Sequence, residues 1–140
     1  MSDRYFHLRL QAVYAQPDNA IAGLAVQKHT AEGWEEFVLN PLTPGFEIFV
    51  YSALTCQHTY FRANCAERGL LLAETQGEIE MVADEDWSLQ RIQVGFDGRL
   101  AQGQPTDEAI DYIVSRMQQC PVSRNTRAIA DAETRVSFTS

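Results

Sequence analysis

Three cysteines, Cys56, Cys65 and Cys120, stand out chemically in this chain of 140 residues. Cys120 directly precedes Pro121, so the run Cys120-Pro121-Val122-Ser123-Arg124-Asn125 reads as a short helical turn with Cys120 at its N-cap. Unpaired backbone N–H groups and the positive end of the helix dipole favour a thiolate there. Arg124 and Arg127 add positive charge within about one to two turns. Cys120 is therefore either a reactive thiol or a buried cysteine that merely packs. Cys56 falls inside the helical stretch Ser52-Ala53-Leu54-Thr55-Cys56-Gln57-His58, where taken alone it reads as a core residue. Cys65 follows on the same helix, about half a turn round and about 13.5 Å along the axis. A disulfide needs Cα atoms within about 7 Å, so an intact helix forbids a Cys56–Cys65 bridge. Cys65 is expected to point inward, unbonded.

Other chemistries fit the sequence poorly. Cys56 and His58 project about 200° apart on a helix and cannot grip one ion. His7 and His29 lie on separate predicted strands, and no CxxC or HxxxH spacing occurs, so neither a metal nor a cofactor is expected. Glycine-rich phosphate loops and the GxSxG elbow are also missing. The formal net charge is −8, and ten of the eleven basic residues are scattered arginines, with Lys28 the exception. Phosphate recognition needs clustered cations, which argues against nucleic acid or anionic lipid as a partner. No apolar run approaches a membrane span. Met1-Ser2-Asp3-Arg4 leads directly into an alternating strand pattern rather than a secretory leader. A cytoplasmic, reducing location is expected, where a cysteine framework is a poor structural device.

The elements that must position these thiols follow from hydrophobic periodicity. Residues 5–14 alternate as a half-buried strand, and residues 21–29 and 34–39 suggest two more. Thr43 and Pro44 open a helix that runs to about residue 68, with Thr43 the expected N-cap and Gly69 the stop. Its first half carries Phe46, Ile48, Phe49, Val50, Tyr51, Ala53 and Leu54, apolar almost all round. That predicts burial at the centre of the fold or at a subunit interface. Strands over 70–82 and 89–96 follow, with Asp97-Gly98 read as a turn. Thr106 caps a helix whose inward face is Ile110, Ile113, Val114 and Met117. A short helical turn over 122–128 leads to a last strand over 134–139. The order βββ-α-ββ-α-(short α)-β is α+β, and its length suits one domain over 1–140.

Two segments resemble the osmotically inducible protein C / organic hydroperoxide resistance (OsmC/Ohr) family. One is Pro44-Gly45-Phe46-Glu47-Ile48-Phe49-Val50-Tyr51-Ser52-Ala53-Leu54-Thr55-Cys56, similar to the family's proline and glutamate opening of the central helix ahead of its first reactive cysteine. The other is Cys120-Pro121-Val122-Ser123, similar to the Cys-Pro-(Val/Tyr)-Ser motif at the second. The resemblance implies an OsmC-like fold in an intertwined homodimer, with active sites at the interface. It implies Cys56 as the residue that attacks a peroxide and Cys120 as the one that resolves the resulting sulfenic acid into a disulfide. A small or protein dithiol would then restore both. The chain departs from the family where a glutamate usually stands, ten residues before the first cysteine. That position is Phe46, and the nearest carboxylate is Glu47. The activating arginine has no recognisable counterpart; Arg4 and Arg9 are the ones upstream of Cys56.

These features support two functions. One is a thiol-dependent peroxidase that reduces organic hydroperoxides, with Glu47 and Arg9 as candidate activating residues and Phe49 and Tyr60, on the Cys56 side of the helix, lining an apolar pocket. The other is a non-catalytic OsmC-like protein that binds a small apolar ligand at the dimer interface.

Overall fold

A computed structural model describes residues 3–126 and 128–140. The element order is β1 (Arg4–Ala15), β2 (Ala20–Thr30), β3 (Gly33–Glu36), α1 (Gly45–Glu67), β4 (Leu71–Ala83), β5 (Leu89–Gln102), α2 (Asp107–Met117), α3 (Pro121–Arg124) and β6 (Asp131–Thr139). The strands form one sheet in the order β3-β2-β1-β4-β5-β6. Every pairing is antiparallel except β5 with β6, which is parallel. A parallel neighbour needs a crossover rather than a hairpin, and α2 and α3 supply it.

Alternation in the strands decides which face the helices cover. Leu8, Leu10 and Ala12 of β1 and Ile79 and Met81 of β4 are buried beneath α1, whereas Arg9, Gln11, Glu78 and Glu80 stand on the opposite face. From α1, Val50, Leu54 and Phe61 enter the same core, and α2 adds Ile113 and Met117. Phe61 stacks between Phe96 and Phe138, with ring centroids 5.1 and 5.8 Å away. The core thus ties α1 to β5 and β6.

Local signals end α1 as expected. Gly69 takes a left-handed φ of 73°, which a residue with a Cβ adopts only at a cost. The Leu70 N–H then reaches the Cys65 carbonyl at 2.8 Å, and the Gly69 N–H reaches that of Ala66 at 3.0 Å. This paired closure satisfies carbonyls that a helix end leaves open. Thr106 caps α2 by accepting from the Ala109 N–H at 3.1 Å.

Four expectations are corrected. Thr43 does not cap α1: Pro44 is the N-cap residue, and the Thr43 hydroxyl closes the preceding loop by donating to the Val38 carbonyl at 2.8 Å. Asp97-Gly98 is not a turn but lies within β5, paired with Gln76 and Thr75 of β4. Long-range pairing overrides the dipeptide's turn preference, and Leu72 and Phe61 occupy the space that a Cβ on Gly98 would need. The third strand stops at Glu36, and Phe37 turns inward to stack on Tyr51 at 4.9 Å. Finally, α1 is not apolar all round. Ser52, Thr55 and Thr59 form a less buried stripe, each hydroxyl donating to a carbonyl one turn back at 2.7, 3.0 and 3.1 Å.

Candidate active site

The crossover that makes β6 parallel to β5 brings α3 against α1, and with it Cys120 against Cys56. The two thiols are close enough for Cys120 to influence the ionisation of Cys56. Their exposures differ: Cys56 is half-buried, while Cys120 is wholly enclosed. Cys120 is the N-cap of α3, with φ −60° and ψ 146°, and Pro121 takes the first helical position. The N–H of Val122 lies beside the Cys56 sulfur, and that of Ser123 donates to the Cys120 sulfur at 3.3 Å. One short turn thus serves both sulfurs, because Pro121 has no N–H to offer.

A buried polar chain lies behind Cys120. The Ser123 hydroxyl is 3.0 Å from its sulfur. The Gln57 amide, the residue after Cys56, donates to the Ser123 hydroxyl at 2.7 Å. The Thr134 hydroxyl of β6 donates to the Gln57 carbonyl oxygen at 3.1 Å. Gln57 is 4% exposed and Ser123 8%, so these groups depend on their protein partners. A cavity of about 410 Å³ opens on Gln57, Ser123, Thr126, Ile129 and Thr134. A larger one, about 820 Å³, is lined by α2 and by β1, β4, β5 and β6; neither is lined by a cysteine, but the smaller one includes Gln57 and Ser123 of the chain behind Cys120.

Electrostatics at Cys56 oppose ionisation. Burial pushes its thiol up to about 11, and the adjacent Cys120 adds to this, while the Val122 N–H pulls the other way. No described Lys or Arg lowers it. Burial alone drives the Cys65 thiol up, and Cys65 packs, fully enclosed and unbonded, in the core.

The other sequence candidates lie elsewhere. Arg9 is on the far face of the sheet, where its guanidinium donates to the Gln27 side chain at 2.6 Å and covers the Trp34 ring at 4.3 Å. Glu47 forms an ion pair with Lys28 of β2 at 3.2 Å, half a helical turn in phase away from Cys56. Neither reaches the thiols, because strand alternation and helical phase direct them away. Phe46 packs against Phe6, Trp87 and Phe49, with ring centroids 4.9, 5.1 and 5.5 Å apart. Phe49 and Tyr60 are half-buried against the core. Arg124 is exposed, and Arg127 lies outside the described residues. Among the described residues, no three His, Cys, Asp or Glu side chains converge as metal ligands. Sequence reasoning did not find Gln57 and Thr134. Only Ser123 carried a signal, as the last residue of the Cys-Pro-Val-Ser run.

No protein-family model matches the sequence, and no curated protein matches it. Solved structures do. The chain is similar to a hypothetical protein from Aquifex aeolicus VF5, with a TM-score of 0.58 at 12% identity over 92% of this chain and 94% of that one. It is also similar to an OsmC-like hydroperoxide resistance protein from Jannaschia sp. CCS1, with a TM-score of 0.57 at 16% identity over 87% and 86%. An OsmC-like protein from Mycoplasma pneumoniae gives 0.53 at 8% over 92% and 94%. With its α+β order and six-stranded sheet, the chain has the fold of the OsmC-like proteins.

Proposed function

We propose that this protein is a two-cysteine peroxidase that reduces organic hydroperoxides in the cytoplasm as a homodimer. The observation that carries this reading is the meeting of the half-buried Cys56 thiol with the enclosed Cys120 thiol. In the first step the Cys56 thiolate attacks the peroxide's terminal oxygen. The O–O bond breaks, an alcohol leaves with a proton, and Cys56 becomes a sulfenic acid. The Cys120 sulfur then attacks Cys56, forming the S–S bond and releasing hydroxide, which takes up the thiol proton as water. A dithiol donates two electrons and two protons to restore both thiols. Phe49 and Tyr60 on the Cys56 side favour an apolar peroxide.

A second reading has its own support. The raised Cys56 thiol, with no described cation beside it, favours a protein that binds a small apolar ligand without turning over peroxide.

The test compares consumption of an organic hydroperoxide and of hydrogen peroxide, each with a dithiol reductant. Wild type is expected to turn over, preferring the organic substrate, and Cys56→Ser to be inert. Cys120→Ser is expected to stop after one oxidation, leaving a sulfenic acid on Cys56 that dimedone traps. An inert wild type would transfer support to the binding reading.

A further inference from the structure

Burial of the Gln57 amide and the Ser123 hydroxyl is costly unless their hydrogen bonds are made, and the half-buried Thr134 completes the chain behind Cys120. The Gln57 nitrogen can only donate, and it donates to the Ser123 hydroxyl. Its carbonyl oxygen is held by the Thr134 hydroxyl. The Cys120 S–H donates to that hydroxyl at 3.0 Å; no described acceptor takes the serine's own proton, which can turn to the sulfur as the thiol proton departs. The Ser123 N–H donates to the same sulfur. The backbone N–H and, once the thiol proton has left, the serine hydroxyl therefore face one enclosed sulfur.

We propose that Ser123 and Gln57 are positioning residues for Cys120, the Thr134–Gln57–Ser123 chain presenting a proton to its sulfur and aiming it at Cys56 as the attacking group. The proposal rests on the reading of Cys120 as the resolving thiol. It adds that the resolving step, rather than the first attack, is the one supported by a dedicated hydrogen-bond chain. The chain also links the two cysteines mechanically, because Gln57 adjoins Cys56 on α1 while Ser123 belongs to the turn that Cys120 caps.

The step can be isolated without peroxide. A chromogenic aryl disulfide in excess reacts with the half-buried Cys56 thiolate, forming a mixed disulfide and releasing one aryl thiolate. Cys120 then attacks the Cys56 sulfur of that mixed disulfide, forming the Cys56–Cys120 bond and releasing a second aryl thiolate. The readout is the rate of the second release relative to the first, followed across pH in a Cys65→Ala background. Ser123→Ala is expected to lower this ratio about tenfold at pH 7. Ser123→Thr, which keeps the hydroxyl, is expected to restore it to within about threefold. Gln57→Met should give a smaller loss. Gln57→Glu should give a larger one, because a carboxylate accepts the serine proton and turns it from the sulfur. A ratio unchanged in Ser123→Ala overturns the proposal, as does a Ser123→Thr variant as slow as Ser123→Ala, which would reduce the role to packing. Equal slowing of both releases would also overturn it. Because no peroxide is used, the result stands whether or not the peroxidase reading does.

Discussion

Two buried amides join remote parts of this chain, and they do so to different ends. Asn19, in the turn between β1 and β2, is wholly enclosed. Its nitrogen donates to the carbonyls of Arg62 and Leu70 at 3.0 and 3.1 Å. Its oxygen accepts from the Leu72 N–H at 2.9 Å and from Gln16 at 2.8 Å. Every site on that amide is used, and every partner is backbone or another amide. Gln57 is equally hidden, but its chain ends on the Cys120 sulfur. Saturated networks of buried groups hold a fold rigid. The same device attached to a thiol fixes the position of its sulfur. The Asn19 network fixes where α1 ends and β4 begins, while the Gln57 chain fixes how α1 meets α3.

The comparison can be broken most severely at Cys56. With its thiol raised to about 11 by burial and by Cys120, the thiolate fraction grows about tenfold for each pH unit below that value. Alkylation of Cys56 by iodoacetamide, located by peptide mass mapping, is expected to accelerate about a thousandfold between pH 7 and 10. A rate that levels off near neutrality would reveal a cation or donor supplied from elsewhere, such as a partner subunit.

Next in size is Asn19→Ala. It strands the Leu72 N–H and two carbonyls without partners, and it asks alanine to hold the φ of 53° that Asn19 adopts. A loss of about 3 kcal/mol is expected in urea unfolding. If the two networks are separate in purpose, the ratio of aryl thiolate releases should survive in the folded variant.

His58 offers a comparable effect through pH. It is buried against Tyr14, whose hydroxyl lies 2.7 Å from its Nε2. Burial, aided by the Arg62 charge, lowers its folded value to about 4. The unfolded chain therefore binds the extra proton first as the pH falls. Stability is full above about pH 6.5 and drains away as the pH drops towards 4, by about 3 kcal/mol. Chemical unfolding at stepped pH should show this slope, and His58→Asn should flatten it.

The smallest effect belongs to Glu47. Its pair with Lys28 is partly exposed, at 23% and 36%, and such pairs contribute about 0.5 kcal/mol. Glu47→Gln should change unfolding by no more than that, and Cys56 alkylation not at all. A clear drop in alkylation would place Glu47 in the site after all.

Much of the architecture was legible in the residues themselves. Alternation in β1 assigned Leu8 and Leu10 inward, Thr106 and Gly69 marked helix ends, and Cys120-Pro121 marked the start of α3. These signals are local, because caps, breakers and periodicity act over a few residues of backbone. The sequence also separated Cys65 from Cys56, since helical phase alone decides that. Tertiary structure decided what the site contains. Glu47 stood within the motif and Arg9 upstream of it, yet the sheet's alternation sends Arg9 to the far face, and Lys28, on another strand, takes Glu47. Asp97-Gly98 read as a turn until β4 paired across it. The meeting of Cys56 with Cys120, the burial that holds the Cys56 proton, and the alignment of Thr134 with Gln57 all depend on segments distant in the chain. Desolvation and hydrogen bonding are set by what packs around a group, and packing is not written in the residues beside it.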